Sequence, residues 1–242
     1  MSFSEERFCE DLKLGAEAMG IPLSPETVEA FSAFALYVYG ANQRLNLTRI
    51  LDEREMAVKH FLDSLAVSFI PQFESTDSFV DVGSGAGFPG IPLKLYAPDK
   101  EAVLLDSVGK KVAFLQRVIQ HFQLKGIQAV HGRAEELALT HREDYGAVLC
   151  RGVGSVGEVC ELGLPLLRVG GVLVIMKGPQ EEPVDEGLLL EELGGALNRE
   201  QQREYDLPFG LGVRRLIVVE KVRPAREKYP RRPGMARKRP LF

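Results

Sequence analysis

Tryptophan is absent from the 242-residue chain, and cysteine and histidine are scarce, with three and four residues respectively. The cysteines, Cys9, Cys150 and Cys160, form no C-x-x-C pair, which argues against a disulfide framework and indicates the cytoplasm. The histidines show no metal-ligand spacing, so we expect no metal. No apolar run approaches the roughly 18 residues that cross a bilayer. The first ten residues are acidic, so we expect neither a membrane span nor a signal peptide.

Charge is unevenly distributed along the chain. Hydrophobic residues make up 45% of the sequence, which is typical of a folded globular protein, and the net charge is −4. Residues 221–242 hold nine basic residues and one acidic residue, net +8, which leaves −12 for the first 220 residues. A basic segment on an acidic body favours a polyanionic partner, because neutralising phosphates releases counterions. A solvated, disordered tail is the alternative.

The first 70 or so residues have the periodicity of helices. Ser24 is an N-cap ahead of a first-turn proline, and apolar residues then recur at helical spacing up to Gly40. An upstream apolar stripe follows a capping box that begins at Ser2, and Asp52 opens a third helix that carries His60 and Asp63. We therefore predict a helical extension of three helices.

From residue 78 onward, short apolar runs alternate with helical stretches that begin near 89, 109, 155 and 185. Buried strands are predicted at Phe79–Val82, Val103–Leu105, Ile127–Val130, Ala147–Cys150 and Val172–Met176. Such alternation indicates a parallel sheet covered on both faces. Arg203–Leu207 and Val213–Val219 flank a short connection that suits an antiparallel hairpin. The predicted α/β fold is a mostly parallel seven-stranded sheet with one antiparallel strand.

A glycine-rich loop follows the first predicted strand, over Asp81-Val82-Gly83-Ser84-Gly85-Ala86-Gly87-Phe88-Pro89-Gly90. Glycines there let the backbone turn sharply and let a ligand approach the carboxyl end of the sheet. The glycines with Asp106 also match the dinucleotide fingerprint, which makes a nicotinamide-dependent oxidoreductase one alternative. Asp81 argues against it, because a carboxylate opposes a pyrophosphate but favours a cation. S-adenosylmethionine carries a sulfonium and an ammonium, and acid-x-Gly-x-Gly-x-Gly is the pattern of class I methyltransferases.

Further segments share a pattern that is more specific than the glycines. They are Arg44–Thr48, His60–Leu65, Gly83–Leu93, Leu104–Lys111, Arg133–Glu136, Cys150–Gly152, Met176–Gly178 and Lys228–Gly234. On these residues the chain resembles the small-subunit rRNA guanine-N7 methyltransferases, known as methyltransferase G or glucose-inhibited division protein B. The resemblance implies a Rossmann-like fold that transfers a methyl group from S-adenosylmethionine to N7 of one guanine in the decoding-region loop of 16S rRNA.

Two sets of binding residues are expected. By position, the resemblance implies cofactor contacts at Gly83, Phe88, Asp106, Ala134, Glu135 and Arg151. The glycine loop and the end of the second strand add Asp81, Gly85, Gly87 and Ser107. RNA contacts are expected at Lys228, Tyr229, Arg231, Arg232, Arg237, Lys238 and Arg239, with Tyr229 a candidate for stacking on a base. Deleting 223–242 is expected to weaken RNA binding and leave cofactor affinity intact.

The chemistry of such a transfer needs no general base, because guanine N7 already offers a lone pair. We therefore assign no catalytic residue and expect the protein to act by orientation. Arg151 is suited to the methionine carboxylate, guanine O6 or an RNA phosphate. Nucleophilic attack by Cys150, as in cytosine-5 methylation, is a minor alternative, since no Pro-Cys motif accompanies it.

The expected organisation has three parts. They are a helical extension over 1–72, an S-adenosylmethionine-dependent methyltransferase domain over 73–222, and a basic arm over 223–242. The small ribosomal subunit is the expected partner, and we expect a monomer. A non-catalytic RNA-binding or ribosome-assembly factor on the same fold is the other alternative, because the sequence has no obligatory catalytic side chain whose loss would reveal it.

Overall fold

A computed structural model of the chain describes residues 3–180 and 182–242. The α-helices are α1 Glu5–Met19, α2 Pro25–Leu45, α3 Glu53–Met56, α4 Asp63–Leu65, α5 Pro71–Ser75, α6 Gly90–Tyr96, α7 Gly109–His121, α8 Ala134–Leu137, α9 Val156–Gly163, α10 Glu186–Leu188 and α11 Met235–Lys238. The strands are β1 Ser78–Val82, β2 Glu101–Asp106, β3 Ile127–His131, β4 Tyr145–Arg151, β5 Leu167–Lys177, β6 Gly195–Leu197, β7 Arg203–Asp206 and β8 Val213–Lys221. Two π-helical segments, Ala57–Leu62 and Leu189–Leu193, and three 3₁₀ turns, Ala66–Phe69, Leu164–Leu166 and Pro208–Gly210, complete the chain.

The N-terminal helices begin at polar caps. The hydroxyls of Ser4 and Ser24 accept backbone N–H groups in the first turns of α1 and α2, and the carboxylate of Asp52 does the same for α3. Ser2, the predicted start of the first capping box, lies outside the described residues. Helix α2 continues through Gly40, its predicted end, because one glycine costs a helix only about 1 kcal/mol. Within the described residues, no helix is long and apolar enough to cross a membrane.

The sheet has the order β3-β2-β1-β4-β5-β8-β6, with β7 also paired to β8. Strands β1 to β5 pair in parallel, and β8 runs antiparallel to β5, β6 and β7, so it is the one reversed strand. The predicted architecture and hairpin are confirmed. The predicted count of seven strands is wrong by one, because β6 and β7 lie end to end along the outer edge of β8 and share one position in the sheet.

Two hydrophobic clusters cover the two faces of the sheet. One joins α1, α2 and the segment around Phe61 to the sheet through buried rings such as Phe8, Phe31 and Phe88. The other contains α8 and α9 together with Tyr229 and Ala236 of the C-terminal segment, which is residues 222–242 after β8. The N-terminal helices and the C-terminal segment therefore pack on opposite faces of one sheet, and β1, β2, β4 and β5 end at the same edge between them.

Candidate functional site

The loop after β1 is folded back onto β2 by its own backbone. The N–H groups of Gly83 and Ser84 both donate to the carbonyl oxygen of Leu105, at 2.8 and 3.1 Å. Gly83 has φ of +79°, in the region where a side chain is strained. A Cβ atom on Gly90 would collide with Leu104 Cδ2 and lie 2.8 Å from Asp81 Oδ2. The loop accordingly requires glycine at both positions.

Asp81 lies directly beneath this loop and is completely buried. Its Oδ2 accepts the backbone N–H of Gly90 at 2.9 Å. Its Oδ1 is also buried and has no hydrogen-bond partner among the described residues. Burial raises the pKa of the Asp81 carboxyl to about 7, against the opposing effects of the Gly90 N–H and Arg151. An unpartnered buried acceptor is costly, so this oxygen suits a ligand with a donor or a positive charge.

Asp106, at the end of β2, joins two loops. Its Oδ2 accepts the N–H of Gly85 at 2.9 Å, and its Oδ1 accepts that of Val108 at 2.8 Å. The carboxylate opens onto a cavity of about 160 Å³, here called the smaller cavity. This cavity is lined by Val82, Gly83, Leu105, Asp106, Ser107, Gly132, Arg133, Ala134, Glu135, Val153, Glu158 and Leu162. Five of the predicted cofactor contacts, Gly83, Asp106, Ser107, Ala134 and Glu135, thus meet at one place.

A larger cavity, of about 510 Å³, adjoins the smaller one, with Val153 lining both. It is lined by Ile50, Lys59, His60, Asp63, Arg151, Gly152, Val153, Gly154, Met176, Lys177, Gly178 and Arg214. Four cationic side chains and one carboxylate, Asp63, face this space. Its electrostatic character therefore favours an anionic or electron-rich ligand.

Arg151 is fixed at the wall of the larger cavity by three acceptors. Its Nη1 donates to the carbonyl oxygen of Lys59 at 3.0 Å and to Oδ2 of Asp63 at 3.2 Å. Its Nη2 donates to Nδ1 of His60 at 3.4 Å, and its guanidinium lies 5.5 Å from the ring centre of Phe88. A guanidinium has five N–H donors, so two of them have no partner among the described residues. These two are available to a ligand.

His60 is neutral and its tautomer is set by its neighbours. Burial, reinforced by the charge of Arg151, lowers the pKa of His60 to about 3. Because Arg151 can only donate, Nδ1 of His60 is the acceptor and Nε2 carries the hydrogen, which it donates to Oγ1 of Thr48 at 2.8 Å. The imidazole is stacked on Phe88, with ring centres 4.4 Å apart and an interplanar angle of 11°. His60 therefore has no free lone pair with which to act as a base.

The structure divides the predicted cofactor residues into three groups. The five around Asp106 line the smaller cavity, and Arg151 lines the larger one. Asp81, Gly85, Gly87 and Phe88 line neither of these two cavities and form the loop and the layer behind it. Val153 lines both cavities, and its Cγ2 would lie 2.7 Å from a Cβ atom on Gly83.

The C-terminal segment is packed on the body, which disfavours the alternative of a solvated, disordered tail. Tyr229 is only 5% exposed, which disfavours its predicted stacking on a base. Arg231 and Lys228 form ion pairs with Glu161 and Glu192. The remaining predicted RNA contacts are exposed and have no carboxylate partner in the part of the chain that the structure describes; they are Arg232, Arg237, Lys238 and Arg239.

Several residues around Arg151 had no predicted role. Asp63 accepts from Tyr205 Oη at 2.8 Å as well as from Arg151, and Arg214 Nε lies 3.7 Å from the same carboxylate. One signal was available, because the His-x-x-Asp spacing of His60 and Asp63 is that of one helix face. The intervening backbone is π-helical over Ala57–Leu62, a conformation that occurs often at functional sites.

Comparison with known proteins decides the family. The family described as rRNA small subunit methyltransferase G matches residues 27–192. The chain is 40% identical over 234 residues to the ribosomal RNA small subunit methyltransferase G of Alkaliphilus metalliredigens, covering 95% of this chain and 97% of the relative. It is 42% identical over 236 residues to the protein of that name from Pelotomaculum thermopropionicum, covering 96% and 98%. The chain belongs to the rRNA small subunit methyltransferase G family.

Membership of the rRNA small subunit methyltransferase G family confirms the resemblance and the expectation of an S-adenosylmethionine-dependent methyltransferase. It disfavours both an oxidoreductase and a non-catalytic factor. Among solved structures, the M. jannaschii TYW2 in complex with AdoMet is similar at a TM-score of 0.49 and 16% identity, over 66% of this chain and 77% of that one. Among the described residues, no group of three or more His, Cys, Asp or Glu side chains is placed to hold a metal ion.

Proposed function

We propose that this protein transfers a methyl group from S-adenosylmethionine to N7 of one guanine in the decoding-region loop of 16S rRNA. The observation that supports this most is the larger cavity, which presents cations and paired groups beside the cofactor residues but no free base. His60 is neutral with its Nδ1 occupied, and Asp63 is paired with Arg151 and Tyr205. Guanine N7 attacks with its own lone pair, so such a site is sufficient for it.

The residues present fit S-adenosylmethionine. The buried, unpartnered Oδ1 of Asp81 is an acceptor suited to a positively charged group. Asp106 and Glu135 supply acceptors for hydroxyl and amino groups at the smaller cavity. When bound, the cofactor supplies a methyl group made electrophilic by its sulfonium.

The protein's own contribution is orientation. Arg151 is fixed by Asp63, Lys59 and His60, so its two remaining N–H donors have a set direction. They suit an acceptor such as guanine O6, a carboxylate or a phosphate. Holding the reacting atoms in line contributes up to about 7 to 11 kcal/mol in well-aligned reactions, without any proton transfer. Cys150 takes no part, because burial raises the pKa of its thiol well above the usual value and keeps it protonated.

The proposed substrate also accounts for the exposed cations. Arg232, Arg237, Lys238 and Arg239 face solvent and suit rRNA phosphates. An rRNA substrate would place the reaction in the cytoplasm, as the cysteine content predicts. The monomeric state and the boundaries at 72 and 222 stay predictions.

The proposal is tested by following a labelled methyl group from S-adenosylmethionine to unmethylated small ribosomal subunits and to free 16S rRNA. We expect label in 7-methylguanosine at a single position of the decoding-region loop. Comparison of the two RNAs identifies the assembly state that is recognised. Label in another base, or none from a protein that binds the cofactor, would refute the proposal.

A further inference from the structure

The C-terminal segment touches the cofactor site directly. The backbone N–H of Gly234 donates to Oε1 of Glu135 at 2.8 Å, across 99 residues of sequence. Glu135 is 7% exposed and lines the smaller cavity beside Asp106. A hydrogen bond to a carboxylate is stronger than one between neutral groups, so it restrains the side chain and its short helix α8. One wall of the cavity therefore depends on a residue near the end of the chain.

The segment is held in place by a second carboxylate on the same face. Arg231 donates through Nε and Nη2 to the two oxygens of Glu161, and its backbone N–H donates to Oε1 as well. Glu161 is fully buried in α9, the helix that also contributes Glu158 and Leu162 to the smaller cavity. The pair thus anchors the segment to one wall of the cavity, as Gly234 does to the other.

The segment also carries four exposed cations. Arg232 lies between the two anchors in sequence, and Arg237, Lys238 and Arg239 follow within five residues of Gly234. None of these four has a carboxylate partner among residues 3–180 and 182–242. The exposed cations and Gly234, which holds Glu135, therefore lie within one stretch of fewer than ten residues.

We propose that the segment 229–239 is a positioning element of the cofactor site, which holds Glu135 through Gly234 and couples the binding of cofactor to the binding of RNA. The coupling to RNA rests on the proposed function, whereas the positioning of Glu135 does not. Because linkage is reciprocal, RNA held by the cations favours the anchored segment and tightens cofactor binding by the same factor as cofactor tightens RNA binding. The expectation from sequence that deleting 223–242 leaves cofactor affinity intact is replaced by its opposite.

The test measures binding of S-adenosylhomocysteine, the demethylated product, by calorimetry without RNA. Arg231→Ala should raise its Kd by about fivefold or more. The matched control is Arg226→Ala, which breaks an ion pair with Glu192 just outside the segment 229–239, eight residues before Gly234, and it should leave Kd unchanged. A chain that ends at Pro233 keeps the pair of Arg231 and Glu161 but loses Gly234, and it should also bind weakly.

Two readouts separate positioning from a general loss of structure. In a Glu135→Ala background, Arg231→Ala should cause no further loss of affinity, whereas a merely structural role gives additive losses. With 16S rRNA present, the Kd of the unaltered protein should fall, and that of the chain ending at Pro233 should not. Wild-type affinity in Arg231→Ala and in the shortened chain overturns the positioning, and no effect of rRNA on the unaltered protein overturns the coupling. Failure to methylate guanine N7 would refute the proposed function and leave the RNA-free comparison valid.

Discussion

The phenol of Tyr205 donates a hydrogen bond of 2.8 Å to Oδ1 of Asp63, 142 residues earlier in the chain. The other oxygen of that carboxylate accepts from Arg151, so a strand of the final hairpin, an N-terminal helix and the end of β4 are joined at one buried acid. Burial and the charge of Asp63 raise the pKa of the Tyr205 hydroxyl, which keeps it a donor. The orientation of Arg151 is thus a property of three distant parts of the sequence.

Asp63→Asn should lower kcat for methyl transfer by roughly 10²-fold, because Arg151 loses its charged acceptor and misplacement by about 1 Å costs that much. Cofactor affinity should fall by a smaller factor than kcat, since Asp63 does not line the smaller cavity. Steady-state kinetics and calorimetry measure the two effects. Tyr205→Phe is the graded control, with a smaller loss because the pair of Asp63 and Arg151 remains. Unchanged kcat in Asp63→Asn would show that Arg151 needs no such support.

Asp81 should make cofactor binding depend on pH. Its pKa of about 7 means that the carboxylate, the form that attracts a cation, is populated only as pH rises past that value. Affinity for S-adenosylmethionine should therefore increase from about pH 6 to about pH 8 in the unaltered protein. In Asp81→Asn this increase with pH should be absent, and binding at about pH 8 should be weaker than in the unaltered protein. A series of calorimetric titrations at different pH values measures both effects. Identical pH profiles for the two proteins would contradict a role for this carboxylate.

Cys150→Ala should change kcat by less than about threefold, because burial keeps the thiol protonated and no step requires it. The protein should lose about 1 kcal/mol of unfolding free energy from the emptied volume in the core. Chemical denaturation measures the stability, and labelled methyl transfer measures the rate. A loss of several orders of magnitude in kcat at full cofactor occupancy would instead support nucleophilic catalysis by Cys150.

The exposed cations of the C-terminal segment should set the salt dependence of RNA binding. Replacing Arg237, Lys238 and Arg239 by Gln should flatten the slope of log K against log salt by about 0.7 to 0.9 for each phosphate that is no longer neutralised. Lys228→Gln is the control for charge alone, because this lysine is already paired with Glu192 and should contribute less. Filter binding to 16S rRNA over a salt series measures the slopes. Equal slopes for the triple variant and the unaltered protein would place the RNA elsewhere.

Gly90→Ala should destabilise the protein by about 1 to 3 kcal/mol, because the added methyl collides with Leu104 and approaches Asp81 Oδ2. It should also weaken cofactor binding through the displaced carboxylate. Gly40→Ala is the matched control, since no atom lies within 4 Å of its Cβ position inside α2, and it should gain about 0.5 to 1 kcal/mol. Thermal and denaturant unfolding compare the two, and equal stabilities would contradict the packing argument.

The centre of the sheet was predictable because β1, β2, β4 and β5 are largely buried apolar runs. The edge strand β3, predicted to be buried, is only half-buried or exposed along its length. Strand β6 was not predicted, because Gly195–Leu197 has only three residues and its pairing with β8 depends on tertiary packing. Tertiary packing also explains why α2 does not end at Gly40 as predicted, because it outweighs the low helix propensity of glycine.

Half of the candidate site could be located from the sequence. Asp81 and Asp106 end neighbouring parallel strands, and such ends meet at one edge by topology alone. Tyr205 and Arg214 reach the site only through the register of a hairpin, which no local pattern reveals. The packing of the C-terminal segment was hidden by its charge, because the cations that dominate its composition surround three buried apolar residues, Ala225, Tyr229 and Ala236.

The hydrogen bond between Tyr205 and Asp63 also has a consequence for biosynthesis. A nascent chain completes its glycine loop long before residue 205 leaves the ribosome, and Arg231 and Gly234 emerge later still. The wall of the larger cavity and the outer support of the smaller one are therefore finished only by residues that are translated long after the glycine loop. A truncated product of interrupted synthesis retains the glycine loop but lacks the finished site, so it should compete poorly with the complete protein for both cofactor and RNA.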